Sequence, residues 1–240
     1  MTDDELACDV AQAAGALLLS LQQSGADGPR GDREANALIL RMLRAARPND
    51  PILSEESCDD PARLESRRVW IVDPLDGTRE FAEGRSDWAV HIALAIDGVA
   101  AIGAVALPPR NLVLSSGAPP ALPAAHHPAR LLVSRTRPTR LCADVAAELG
   151  AETIPMGSAG AKAMAVVLGE ADIYLHTGGQ YQWDNCAPAA VASAAGLHVS
   201  RIDGSPIVYN RPERDLPDLL ICRREWADPV LAAVAGCGSG

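Results

Sequence analysis

Residues 69–88 read Val69-Trp70-Ile71-Val72-Asp73-Pro74-Leu75-Asp76-Gly77-Thr78-Arg79-Glu80-Phe81-Ala82-Glu83-Gly84-Arg85-Ser86-Asp87-Trp88. The four apolar residues at the start predict a buried strand, and that strand ends in two carboxylates, Asp73 and Asp76. Ionised carboxylates beside apolar walls do not stay unpaired. A hard divalent cation satisfies both, and the backbone N–H groups of Gly77 and Thr78 can hold a phosphate next to it. The stretch therefore reads as a centre for metal-assisted phosphate chemistry.

Composition bounds the rest. A chain of 240 residues can bury a full core, as one domain or as two lobes sharing an interface. The net charge of −10 argues against a nucleic-acid-binding or membrane-surface protein, which would carry basic patches. It leaves room for a small anionic substrate, because bound metal reverses the local field. No apolar run approaches the ~20 residues of a membrane span, and Met1-Thr2-Asp3-Asp4-Glu5 lacks the basic start of a secretory signal. Six scattered cysteines with no C-x-x-C pair predict reduced, mostly buried thiols in a cytoplasmic protein. Lys162 is the single lysine and Phe81 the single phenylalanine, which marks both for inspection.

Outward from the motif, Leu6, Val10, Ala14, Leu17, Leu18 and Leu21 recur at helical spacing and predict a helix over residues 3–23. Residues 24–31 read as a loop, and Asp32 as the N-cap of a second helix that Pro48 and Pro51 terminate. Short strands are expected at 52–53, 88–94, 99–107 and 112–114, with Asp97-Gly98 as a two-residue hairpin turn. The Ala/Pro-rich stretch 118–128 reads as a surface connection and the lobe boundary, giving lobes 1–120 and 121–240; His126 and His127 within it are expected to face solvent. Beyond it strands (131–133, 153–155, 172–175, 219–222) alternate with helices (140–149, 161–168, 185–195, 226–235). An antiparallel-rich first lobe and an alternating second lobe predict a layered fold.

Three carboxylate groups fall at element boundaries: Glu55 and Glu56 after a strand, Asp73 and Asp76 after another, and Asp184 opening a helix. Magnesium takes a near-octahedral oxygen shell, which no one segment here can supply. The Leu75 main-chain carbonyl can add a ligand. Taken singly, Glu55-Glu56 is also a solvated turn and Asp184 also a helix cap.

The blocks Ser54-Glu55-Glu56, Trp70 to Phe81 and Trp183-Asp184 together resemble the inositol monophosphatase superfamily, the lithium-sensitive, magnesium-dependent phosphatases, in order and spacing across nearly the whole chain. The resemblance implies an α+β fold, an α-β-α-β-α sandwich of the inositol monophosphatase and fructose-1,6-bisphosphatase type. It implies two or three Mg²⁺ held by Glu55, Asp73, the Leu75 carbonyl, Asp76 and Asp184, with lithium inhibition and a homodimer. Asp32 aligns with an acid that, with Thr78, orients and deprotonates the attacking water; many members carry threonine where this chain has Arg30. Glu55 joins them as a catalytic residue, and no covalent nucleophile is needed, which leaves Cys186 outside the chemistry.

For the substrate, Gly157-Ser158-Ala159-Gly160-Ala161-Lys162, Asp203 to Asn210 and the Arg79-Glu80-Phe81 ending resemble the bacterial CysQ-type branch, which hydrolyses 3′-phosphoadenosine 5′-phosphate in support of sulfur assimilation. The implied substrate contacts are Leu75, Asp76, Gly77, Thr78, Ser158, Lys162, Asp184 and Tyr209, with Lys162 on the non-reacting phosphate. Arg135 and Arg137 are further candidates. The run 157–162 lacks the Gly-Lys-Ser/Thr ending of a P-loop. Inositol 1-phosphate, fructose 1,6-bisphosphate, activity on several of these, and a catalytically silent phosphate- or metal-binding regulator are the alternatives.

Overall fold

The computed structural model describes residues 1–237. Helix α1 (Asp3–Gln23) opens with a reciprocal cap: the Glu5 N–H donates to Thr2 Oγ1 at 3.2 Å, and the Thr2 N–H donates to Glu5 Oε2 at 2.7 Å. Helix α2 (Gly28–Ala46) begins four residues before the expected Asp32 cap. Its N-cap is Asp27, whose Oδ1 accepts the Arg30 N–H at 2.9 Å, and Pro29 sits in the first turn, where a missing N–H costs nothing. Asp32 is thus a buried residue inside the helix and not its cap.

The first sheet runs β1 (Ile52–Ser54), β2 (Arg68–Asp76), β3 (Ala89–Ile96), β4 (Val99–Leu107) and β5 (Leu112–Ser115), in that spatial order. β1 and β2 pair in parallel and the others antiparallel. Asp97 and Gly98 both take positive φ, 50° and 79°, as a two-residue hairpin turn requires. A five-residue helix α3 (Thr78–Ala82) follows β2.

The second sheet contains β6 (Arg130–Ser134), β7 (Glu152–Met156), β8 (Ile173–Thr177), β9 (His198–Ser200) and β10 (Asp218–Cys222), ordered β7-β6-β8-β10-β9. It is mixed: β6 is parallel to β7 and β8, whereas β10 is antiparallel to β8 and β9. The intervening helices are α4 (Arg140–Leu149), α5 (Ala159–Val167), α6 (Gln182–Ala194) and α7 (Arg224–Cys237). The strand β9 was not legible in the sequence.

α1 and α2 cover one face of the first sheet, α5 and α6 lie between the sheets, and α4 and α7 cover the outer face of the second. The result is the five-layer α-β-α-β-α sandwich. Each interface has its own core: Leu6, Val10, Leu18, Ile39 and Trp70 on the outer side of the first sheet, Ile71, Val105, Met164, Val191 and Ile221 in the middle, and Leu131, Val145, Ile173 and Val230 on the far side. Among the described residues no helix is long and apolar enough to cross a membrane. All six cysteines are unpaired; Cys142, Cys186 and Cys222 are buried, and Cys58 is exposed. His126 does not simply face solvent: its Nδ1 lies 3.1 Å from Oδ2 of the buried Asp172.

Candidate active site

The two acids of the opening motif meet because β2 is irregular. Asp73 lies opposite His91 on β3, and pairing resumes with Asp76 opposite Ala89, so β2 carries one extra residue. Strand side chains alternate faces, and residues an odd number apart point to opposite sides. The bulge cancels that parity, and Pro74 sits where no ladder N–H is required. One oxygen each from Asp73, Asp76 and Asp184 then lie within 4.8 Å of one another. Asp184 arrives on the first turn of α6, where its Oδ2 accepts the Tyr181 N–H at 2.6 Å. The Glu55 carboxyl lies against that of Asp73 from the end of β1.

These acids are short of positive charge. Burial, then the charges of Glu55, Asp76 and Asp184, push the Asp73 carboxyl well above the usual carboxylate range. Burial and the Asp76 charge raise Asp184 to about 7. Glu55 is also raised, by desolvation of its carboxyl above all, although the residue as a whole is exposed. Asp76 behaves differently. Burial alone would raise it, but His91, the Ser158 hydroxyl and the Gly160 N–H hold it below the usual range. The His91 Nε2 is 3.3 Å from Asp76 Oδ2, the Gly160 N–H donates to the same oxygen at 2.6 Å, and the Ser158 hydroxyl also donates to it. A cluster with one stabilised carboxylate and three that resist ionisation fits a hard divalent cation, which would let all of them ionise.

A second group stands beside the cluster. Thr78 Oγ1 lies 3.2 Å from the Leu75 carbonyl and 3.4 Å from Asp32 Oδ2. Asp32 Oδ1 is buried with no partner among the described residues, and burial followed by the Glu56 and Glu55 charges lifts the carboxyl to about 7. Asp32 and Thr78 can therefore bind a water and take its proton near neutral pH. Between these groups the chain turns at Gly77, with φ 94°, where an added Cβ would lie 3.1 Å from Trp88 Cβ and 3.2 Å from Ser158 Cβ. The turn leaves the first N–H groups of α3 without helical partners.

A cavity of about 250 Å³ opens over this turn, lined by Asp76, Gly77, Thr78, Ser158, Lys162 and Asp184 among others. The 158 turn is strained, because Ser158 has φ 53° and ψ 136°, and its hydroxyl accepts the Ala161 N–H at 3.0 Å while donating to Asp76. Lys162 is placed otherwise than expected. It lines the cavity, but its ammonium is turned onto the carbonyls of Ser158 (2.5 Å), Gly157 (3.3 Å) and Met156 (3.5 Å), and it lies 5.2 Å from the Tyr174 ring centre. Its visible work is to hold the 156–158 turn.

Tyr209 is placed otherwise than expected: it is 2 % exposed, outside the cavity lining, and its hydroxyl donates to Asn185 Oδ1 at 3.0 Å, which braces the start of α6. Burial pushes the Cys186 thiol up and keeps it protonated, so it offers no nucleophile. Sequence reasoning missed His91. Its signal was a lone polar residue in the apolar run Ala89-Val90-His91-Ile92-Ala93-Leu94. It also missed that Gly160 would supply a backbone donor to Asp76.

The profile of the Inositol monophosphatase family matches residues 23–234. The chain is 50 % identical to the 3′-phosphoadenosine 5′-phosphate phosphatase of Mycobacterium leprae, over 98 % of this chain and 93 % of that protein. It is 33 % identical to the 3′(2′),5′-bisphosphate nucleotidase CysQ of Escherichia coli K12, over 76 % of this chain and 79 % of that one. Among solved structures, CysQ from Bacteroides thetaiotaomicron superposes with a TM-score of 0.80 at 26 % identity, covering 92 % of this chain and 97 % of the other. Matched by the family profile over residues 23–234 and by a 50 % identical relative over almost its whole length, the chain belongs to the inositol monophosphatase family.

Proposed function

We propose that this protein is a Mg²⁺-dependent phosphatase that hydrolyses 3′-phosphoadenosine 5′-phosphate to AMP and phosphate. The observation that carries the reaction class is the convergence of Asp73, Asp76 and Asp184 within 4.8 Å, beside Asp32, Thr78 and a turn of free N–H groups. The substrate is supported by what the Mycobacterium leprae relative is named for, at 50 % identity. Glu55, Asp73, Asp76, Asp184 and the Leu75 carbonyl would hold two or three Mg²⁺. Bound there, Mg²⁺ supplies Lewis-acid activation of water and neutralises charge on the phosphoryl group.

The chain's own residues do the rest. Thr78 Oγ1 and Asp32 hold the attacking water, and Asp32 accepts its proton as the water oxygen bonds to phosphorus opposite the departing ester oxygen. The N–H groups of Gly77 and Thr78 bind the non-bridging oxygens. Ser158, Gly160 and His91 keep Asp76 ionised and in one orientation. We further infer a cytoplasmic homodimer serving sulfur assimilation, inhibited by lithium, whose chain forms two lobes that meet near residue 120.

Phosphate release from 3′-phosphoadenosine 5′-phosphate, inositol 1-phosphate and fructose 1,6-bisphosphate, with Mg²⁺ and with EDTA, tests this. The expected result is the highest kcat/KM on the first, none with EDTA, and none for a folded Asp76→Asn variant. A dominant preference for inositol phosphate would overturn the substrate, and full activity of Asp76→Asn would overturn the metal assignment.

A further inference from the structure

Three of the segments that line the cavity, residues 76–80, 134–137 and 157–162, meet at one ion-pair cluster that the reaction scheme does not use. Glu80, 6 % exposed on α3, accepts from Arg135 at the end of β6: Arg135 Nη2 is 2.8 Å and Nε 3.3 Å from Glu80 Oε1. The same Nη2 reaches Glu83 Oε2 at 2.9 Å. The third segment closes on Glu80 because residue 157 is glycine; a Cβ there would lie 2.4 Å from Glu80 Cγ. The Gly157 N–H donates to Asp87 Oδ2 at 2.7 Å, and the Arg135 N–H to the Met156 carbonyl at 3.2 Å.

A guanidinium has five N–H bonds in one plane. Here Nε and Nη2 are committed to the two glutamates, which fixes that plane and leaves the two hydrogens of Nη1 with no acceptor among the described residues. Lys162, the buried cation of the cavity, already has a carbonyl acceptor for each of its three hydrogens, whereas Arg135 is half-buried. Arg137 is exposed and held only through its backbone, whose N–H donates to Ser134 Oγ at 3.2 Å. His176, which also lines the cavity, has its pKa lowered to about 4 by burial first and then by the charges of Lys162 and Arg137, so both cations are felt there. The reacting phosphate belongs at the acid cluster. A second phosphate on the same molecule needs donors elsewhere, and a guanidinium already immobilised offers them at little entropic cost.

We propose that Arg135 is the specificity-determining contact for the second, non-reacting phosphate of a bisphosphate substrate, and that Glu80 is its positioning residue. This deepens the phosphatase reading and rests on it. Because Glu80 and Glu83 together more than offset its charge, Arg135 contributes direction, a planar pair of N–H donors, while Arg79 and Arg137 supply the positive charge around it.

The test is steady-state kinetics at saturating Mg²⁺ on 3′-phosphoadenosine 5′-phosphate and on adenosine 3′-phosphate, together with AMP binding by calorimetry. Wild type, Arg135→Gln and Glu80→Gln are compared, with thermal denaturation to establish that each is folded. Arg135→Gln is expected to raise KM for the bisphosphate about tenfold or more, with kcat little changed, and to weaken AMP binding in parallel. On adenosine 3′-phosphate, which lacks the second phosphate, kcat/KM should stay within about twofold. Glu80→Gln should shift the same constants in the same direction by a smaller factor, which a merely structural contact would not do. Equal losses on both substrates, or unchanged KM and AMP affinity in both variants, overturn the proposal. Failure of wild type to release phosphate from any ester would instead overturn the phosphatase reading, and AMP affinity in Arg135→Gln would still decide this one.

Discussion

At Asp76 a single oxygen, Oδ2, collects the Ser158 hydroxyl, the Gly160 N–H and the nearby His91 ring, which leaves Oδ1 without a donor among the described residues. Such an arrangement orients a carboxylate ligand, and partners of this kind typically matter by about 10–100-fold in metal affinity or activity. Ser158→Ala should therefore lower kcat/KM by about 10–100-fold and move the Mg²⁺ titration to higher concentration. An unchanged Mg²⁺ dependence would remove Ser158 from this role. The acids themselves were legible, because charged residues ending an apolar run must find partners. His91 was harder to read, since a buried histidine in a strand declares its function only once the facing strand is known. Tyr209 was named from the resemblance of residues 203–210 alone, and its hydroxyl is held in the core by Asn185.

Among the elements, α2 shows how a helix start can be misplaced. Asp27 and Asp32 are both good caps by residue type. Pro29 decides between them, because proline is tolerated in the first turn of a helix and not in its interior. The shift matters for the site, since it carries Asp32 from a solvated cap into a buried helical position facing Thr78. Asp27→Ala should cost about 1 kcal/mol of stability, read from the urea midpoint at constant slope. A variant as stable as the wild type would show that Pro29 and packing alone set the helix start. The β2 bulge was not read from the sequence, and its consequence, two acids brought to one side, depends on the register with β3. Strand β9, three residues long, has too little pattern to be seen without the strand it pairs with.

For the whole molecule, the acid cluster links stability to pH and metal. Asp32 and Asp184 have pKa values of about 7 in the fold against about 3.8 for an unperturbed aspartate, and Asp73 is raised in the same sense. The folded state therefore binds these protons more tightly than the unfolded chain. Their contribution is fully present below pH about 4 and is lost as pH rises through about 7. Asp76, held low, acts in the opposite sense and loses its contribution only in strong acid. The metal-free protein should thus melt at progressively lower temperature between pH about 5 and about 8. Mg²⁺, binding the ionised acids only in the folded state, should reverse the trend at the upper end. Thermal denaturation in EDTA and in Mg²⁺ across that range checks this, and a flat EDTA profile would show that the cluster is not protonated in the empty fold.

By itself the sequence determined the chemistry and the layering: apolar runs set the strands and helices, and acids stranded at their ends demanded a cation beside a phosphate. Those are local consequences of burial and charge, carried by residues near one another in the chain. Only the tertiary structure decided which side chains face the cavity. The bulge corrected the parity of Asp73 and Asp76, the 158 turn brought donors to Asp76 from 82 residues away, and Lys162 and Tyr209 were drawn onto partners of their own. Where a polar side chain points depends on the partners that folding places within reach of a hydrogen bond, and those partners lie on other segments of the chain.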